Sequence, residues 1–125
     1  MKLGTLFLIN AIVAIVFGVA FVLFPGQTLS LYGITSNADL NFIGQLFGGA
    51  LVSFAVLTWA AKDSDESVAR RAIVLALFVG DAIGFIVALI AQLGSIANSL
   101  GWSTVVIYLL LALGFGYFQF MKPAS

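Results

Sequence analysis

Four long apolar stretches dominate this chain of 125 residues and leave it few ways to fold. They cover residues 3–24, 42–61, 72–93 and 104–121, and only short segments connect them. At 1.5 Å per residue each stretch makes a helix of roughly 27 to 33 Å, which is enough to cross the hydrocarbon core of a bilayer. Only 8% of the residues are charged, whereas a water-soluble domain carries roughly 25%. The sequence therefore predicts a single all-α membrane domain over residues 1–125, built as a four-helix bundle.

The first stretch has some features of a signal peptide. It follows Lys2, and Gly18 and Ala20 have the spacing of small residues at a cleavage site. The apolar region of a signal peptide is only about 7 to 15 residues long, which is shorter than this stretch. We therefore interpret the first stretch as a retained span.

The basic residues predict the orientation of the spans. With an even number of spans, both termini and the segment between the second and third spans lie on one side. That side holds all five basic residues: Lys2, Lys62, Arg70, Arg71 and Lys122. The opposite segments, 25–41 and 94–103, hold none. The positive-inside rule then places both termini in the cytoplasm, and we expect a multi-pass protein of a bacterial inner membrane.

The connecting segments carry helix signals of their own. The stretch "GQTLSLYG" after the first span predicts a short interfacial helix that ends at Gly33. Ser36 is predicted to cap the second span, and Asp63 or Ser64 the third. Trp and Tyr residues near the span ends match the aromatic belts of membrane proteins.

Polar side chains inside the spans are the candidate functional residues. Asp81, Asn10 and Ser53 all lie roughly 10 to 13 Å from the cytoplasmic ends of their spans, so they predict one hydrogen-bonded layer. No span contains a cationic residue, and an ionised Asp at a helix centre costs about 2.5 to 3.5 kcal/mol, so we expect Asp81 to be protonated. It is a structural hydrogen-bonding group, a proton or cation site, or half of a pair with another subunit. Gln45 and Gln92 are a possible second pair near the outer surface.

Small residues recur at every fourth position of the third span. This helix-packing face consists of Ala72, Ala76, Gly80, Gly84 and Ala88, and Gly44 and Gly48 on the second span extend it. Membrane helices associate largely through such small residues, because lipid offers little hydrophobic force between helices. The face packs inside the bundle of this chain or against another subunit.

Several functions are excluded or disfavoured by composition. The chain has no Cys and no His, which removes thiolate and imidazole chemistry, and we predict no metal site and no cofactor. An enzyme is not expected, because one buried Asp without a second titratable group at its depth cannot separate acid from base. Zero net charge and the absence of a basic run argue against nucleic-acid binding. Four aromatic residues of the last span have three alternative roles: they line a ligand pocket, face lipid or fill the bundle. They are Phe115, Tyr117, Phe118 and Phe120.

Three segments together resemble an uncharacterised bacterial family of small four-span membrane proteins. They read "LFPGQTLSLYGI", "GQLFGGALVSFAVLTWAAK" and "ARRAIVLALFVGDAIGFIVAL". The resemblance covers residues 15–93. It implies a four-span fold and no assigned activity, so it identifies no functional residues.

Three functions remain open from the sequence. The first is an accessory or self-associating subunit of a membrane complex, with copies of itself or other membrane subunits and the lipid bilayer as partners. The second is a small transporter or channel that uses Asp81 for a proton or cation. The third is a binder of a lipid, quinone or pigment.

Overall fold

The computed structural model describes residues 1–121 and contains five helices. They are α1 (Leu3–Leu23), α2 (Pro25–Leu31), α3 (Ala38–Ala61), α4 (Val68–Leu93) and α5 (Gly101–Gly116), and a π-helical segment (Tyr117–Met121) continues α5. All but α2 are long and apolar enough to cross a membrane, counting α5 together with its π-helical continuation. The predicted all-α fold is confirmed, with four helices that are candidate membrane spans, and residues 1–121 include no strand. Lys122, one of the five basic residues used to predict orientation, lies outside the described residues.

The short helix α2 follows directly from the local sequence. Proline disfavours helical backbone in the residue before it, and Phe24 has the non-helical angles φ −135° and ψ 56°, so the chain turns there. Pro25 then begins α2, where its missing N–H costs nothing. Gly33 ends the turn with φ +74°, and the amide of Ile34 donates to the carbonyl of Leu29 at 3.1 Å. The predicted short helix is therefore present.

Two predicted helix caps are wrong by a few residues. Asn37, not Ser36, caps α3, and its side chain accepts a hydrogen bond from the amide three residues later at 2.9 Å. Ser67, not Asp63 or Ser64, caps α4 in the same way at 3.0 Å. The sequence offers several capping residues in each connection, and the residue used lies after the predicted one in both cases.

The four spans form two hairpins. Helix α1 packs along α3, and α4 packs along α5. The first hairpin is held closely together because glycines face each other: a Cβ added at Gly48 would lie 2.7 Å from the carbonyl oxygen of Gly18. Such glycine contacts allow two helix backbones to approach more closely than larger residues permit.

The hairpins contact each other mainly near the start of α1, which we call the terminal end of the bundle. An apolar cluster joins them there, composed of Leu3, Leu6, Phe7, Ala61, Val74, Leu77, Leu111, Phe115 and Phe118. The rings of Phe7 and Phe115 are fully buried at its centre, with centroids 6.0 Å apart.

Hydrogen bonds join the hairpins at the opposite end, which we call the α2 end. The side-chain amide of Asn98 donates to the carbonyl of Leu31 at 3.0 Å, and its backbone amide donates to the carbonyl of Tyr32 at 2.8 Å. Between the two ends α3 and α4 make little contact with each other. The bundle therefore contains a space in its middle.

Candidate ligand-binding cavity

The space between the hairpins is a cavity of about 440 Å³ that is only partly enclosed. On α4 its lining extends from Ala76 to Gln92, which corresponds to roughly 24 Å along the helix axis. Ligand sites in proteins usually have volumes of roughly 300 to 1,000 Å³ and mostly apolar walls with a few polar groups. The cavity has the size and shape for an elongated small molecule.

Aromatic rings form much of the cavity wall. Phe17 and Phe21 come from α1, Phe47 and Phe54 from α3, and Tyr108 from α5. The rings of Phe21 and Phe47 meet edge to face with centroids 5.4 Å apart. The predicted aromatic pocket residues of the last span lie elsewhere, since Phe115 and Phe118 belong to the apolar cluster at the terminal end.

Asp81 is the one carboxylate in the described lining of the cavity. The buried residues of α4 are Val74, Leu77 and Asp81, which follow one another at spacings of three and four residues. This spacing puts them on one side of the helix, facing the other hairpin. The inward position of Asp81 is therefore a consequence of how α4 buries its apolar side.

The carboxyl group of Asp81 has no partner in the described part of the chain. Asp81 is only 9% exposed, and its Oδ2 atom is buried without a hydrogen bond. A buried polar atom without a partner costs roughly 1 to 3 kcal/mol. The site therefore favours a ligand that supplies a hydrogen-bond donor or a positive charge.

Of the predicted polar layer, the structure brings Asn10 and Asp81 to the same cavity but leaves Ser53 out. Ser53 is exposed, because it lies two residues, or about 200° around the helix, from the buried Ala55. Asn10 instead donates to the hydroxyl of Thr58 at 3.4 Å. Thr58 is fully buried and donates in turn to the carbonyl of Phe54 at 2.7 Å.

Thr58 was not predicted from the sequence, although a signal for it exists. It lies three residues after Ala55 and ten after Gly48, on the side of α3 that faces α1. A polar residue in register with packing glycines is a candidate for a bond between helices.

The predicted packing face of α4 borders the cavity over much of its length. Ala76, Gly80 and Ala88 line the cavity, and a Cβ added at Gly80 would have no heavy atom within 4 Å. Ala72 is exposed. Gly84 alone is in tight contact, because a Cβ there would lie 2.6 Å from Cδ1 of Tyr108. The small residues of this helix-packing face therefore mostly leave open space, and only Gly84 brings two helices into close contact.

The glycines of α3 have a different environment. Gly44 and Gly48 both face α1, where a Cβ on either would meet Phe21. Gly49, the next residue, points away from α1, and a Cβ there would have no heavy atom within 4 Å. Within this chain, Gly44 and Gly48 are therefore packed against α1.

Gln45 and Gln92 do not form the predicted pair. Gln45 donates to the backbone carbonyl of Val22 at 3.1 Å, and Gln92 donates to that of Asn98 at 3.0 Å. Each amide satisfies a carbonyl at a helix end or in a connection, because these groups lack a partner within their own helix.

Among residues 1–121, no three carboxylate, Cys or His side chains come close enough together to hold a metal ion. A scan of protein-family models, a search of curated proteins and a search of solved structures each gave no match to this chain. The geometry of the cavity is therefore the basis on which a function is assigned.

Proposed function

We propose that this protein is a small, non-enzymatic membrane protein that binds an apolar or amphiphilic small molecule, of the lipid, quinone or pigment class, between its two hairpins. The observation that carries this proposal is the cavity of about 440 Å³ with aromatic walls and one buried carboxyl group. Tightly packed interiors contain few voids larger than a water molecule, so a space of this volume needs an occupant.

The ligand enters from the bilayer through the gap between α3 and α4. Helix α1 contacts both α3 and α5, and α4 contacts α5, whereas α3 and α4 hardly touch. Phe47 and Phe54 line the cavity and are still 42% and 45% exposed, so the α3 side of the gap is accessible. An apolar molecule dissolved in the membrane reaches this opening without crossing water.

The proposed setting is a bacterial inner membrane with both termini in the cytoplasm. Four basic residues, Lys2, Lys62, Arg70 and Arg71, lie at or next to the terminal end of the bundle, which supports this orientation. The ammonium group of Lys62 also lies 4.5 Å from the ring centroid of Trp59, as expected where a span meets the headgroup region.

Two glycines provide a matched test of ligand binding. Gly80 lines the cavity and Gly49 does not, and a Cβ added at either would have no heavy atom within 4 Å. Gly80→Phe should therefore fill the cavity, and Gly49→Phe should leave it empty. Both variants should keep the fold, because neither site is crowded.

Native mass spectrometry of the protein released from native membranes then tests the proposal. We expect an apolar adduct at one molecule per chain in the wild type and in Gly49→Phe, and its loss in Gly80→Phe. Equal adducts in all three proteins, or none in the wild type, would contradict cavity binding. The same spectra give the number of chains and any other subunit in the particle, which tests the predicted association with copies of itself or with other membrane proteins.

A further inference from the structure

The described lining of the cavity can carry a negative charge but no positive charge. Asp81 is an acid, and no Lys, Arg or Glu is among the described residues that line the space. A low-dielectric cavity strengthens the effect of a single charged group, because little water is present to screen it. Such a cavity attracts a cation and repels an anion.

The carboxyl group is free to bind. Asp81 Oδ2 is buried without a partner, and Asn10, the polar residue that α1 contributes to the cavity lining, already donates to Thr58. A hydrogen-bond donor or a positive charge for Asp81 must therefore come from a ligand, and a cation is attracted strongly to a carboxylate where little water screens the charges.

The aromatic walls suit the same type of ligand. Tyr108 packs against Gly84 of α4, one turn beyond Asp81, and Phe17 and Phe54 line the cavity from the other hairpin. The face of an aromatic ring attracts a cation within about 6 Å, and quaternary ammonium groups are bound in this way. The carboxyl group and the aromatic rings therefore both favour a positively charged ligand group.

The position of Asp81 also fits a ligand with one charged end. It lies roughly 7.5 Å from Ala76, where the cavity lining on α4 begins, and roughly 16 Å of lining remain between it and Gln92. A charged head at Asp81 therefore leaves room for an extended alkyl chain toward the α2 end.

We propose, building on the ligand-binding function above, that the ligand is an organic cation with an apolar chain, such as a long-chain amine or quaternary ammonium compound. Its positive head binds the carboxylate of Asp81, and its chain occupies the aromatic part of the cavity. An isolated carboxylate is costly within the hydrocarbon region, so Asp81 holds a proton when no cation is present. Binding of the cation releases this proton to water.

The other titratable groups do not compete for this role. Besides Asp81, the titratable side chains of the described lining are the phenols of Tyr108 on α5 and Tyr32 after α2, and a phenol is a much weaker acid than a carboxylic acid. The residues that α1 and α3 contribute to the lining carry no titratable side chain. The released proton is therefore assigned to Asp81.

Titration calorimetry on protein in lipid nanodiscs tests this proposal with three compounds that share one chain: dodecyltrimethylammonium, dodecanol and dodecyl sulfonate. Nanodiscs with Gly80→Phe give the background from partition into lipid. We expect the cation to bind about tenfold or more tightly than the alcohol, the sulfonate not to bind, and one proton to be released per cation, measured in two buffers of different ionisation enthalpy.

Two variants locate the effect. Asp81→Asn should lose both the preference for the cation and the released proton, whereas Asp39→Asn should retain both, because Asp39 lies in the first turn of α3 outside the cavity. If Asp81→Asn fails to fold, Asp81→Glu keeps the carboxyl group and should keep the cation preference.

The outcomes separate this proposal from the function on which it rests. Saturable binding of alcohol and cation with equal affinity, lost in Gly80→Phe, would overturn the cation proposal and leave the ligand-binding function intact. Preference for the cation without proton release would overturn the exchange at Asp81. Binding of all three compounds no greater than the Gly80→Phe background would overturn both proposals.

Discussion

The close contact between α1 and α3 predicts how alanine at two adjacent glycines, Gly48 and Gly49, changes the free energy of unfolding. A Cβ added at Gly48 would lie 2.7 Å from the carbonyl oxygen of Gly18, about 0.6 Å closer than the roughly 3.3 Å at which a carbon and a carbonyl oxygen touch. The obstacle is backbone, so side-chain rotation cannot relieve it and the two helices must separate. A gap of about 0.5 Å already forfeits roughly a quarter of the dispersion energy of the atoms involved.

Gly48→Ala should therefore be less stable than Gly49→Ala by about 1 to 3 kcal/mol, the usual cost of overpacking. Both substitutions reduce the freedom of the unfolded backbone by the same amount, a gain of about 0.5 to 1 kcal/mol each, so this term cancels in the comparison. Gly49→Ala meets no heavy atom within 4 Å and should be slightly stabilising.

Reversible unfolding in mixed micelles with increasing sodium dodecyl sulfate, followed by circular dichroism, measures the free energy of unfolding of each variant. The reasoning fails if the two variants agree to within about 0.5 kcal/mol, the usual error of such comparisons. It also fails if Gly49→Ala is the less stable variant.

Three further predictions follow from the connections and the hydrogen bonds. Single cysteines at Asn37 and Ser64 should react differently with an impermeant reagent applied to intact cells, with labelling only at Asn37; labelling only at Ser64 would reverse the proposed orientation. Asn98→Ala removes the side-chain oxygen that accepts from the amide of Leu100 at 3.0 Å, so hydrogen exchange at Leu100 should become faster, and unchanged exchange would mean that this bond does not persist. Thr58→Val leaves the asparagine amide of α1 without its acceptor and should cost about 0.6 to 1.7 kcal/mol in the same micelle assay, the range found for bonds between membrane helices; a neutral effect would show that the bond is not formed.

The spans could be predicted from the sequence because a membrane helix must satisfy all its backbone hydrogen bonds internally and match the thickness of the bilayer. Because of those two requirements, the position of an apolar stretch in the sequence predicts the position of a helix. The predicted end of the second span at residue 61 agrees with the structure. Capping was harder to predict, because Ser36 and Asn37 are both good caps and the choice depends on how the connection runs.

The cavity could not be predicted, because a missing side chain has two opposite consequences. At Gly48 the neighbouring backbone fills the space, and at Gly80 nothing does. Both residues look alike in a sequence pattern, since the outcome depends on the distance between the hairpins. That distance is determined by the apolar cluster at the terminal end and by the Asn98 hydrogen bonds at the α2 end, which are contacts between residues far apart in sequence.

The most direct test of ligand binding in the cavity is photolabelling in liposomes with a dodecanol that carries a diazirine on its chain, followed by peptide mass spectrometry. Phe47 and Leu51 line the cavity, whereas Ile43 and Leu46 on the same helix are about 60% exposed and do not line it. We predict labelling at Phe47 and Leu51 that excess unlabelled dodecanol suppresses, and only weak, unsaturable labelling at Ile43 and Leu46. Equal labelling of all four residues without competition would contradict a binding site between the hairpins.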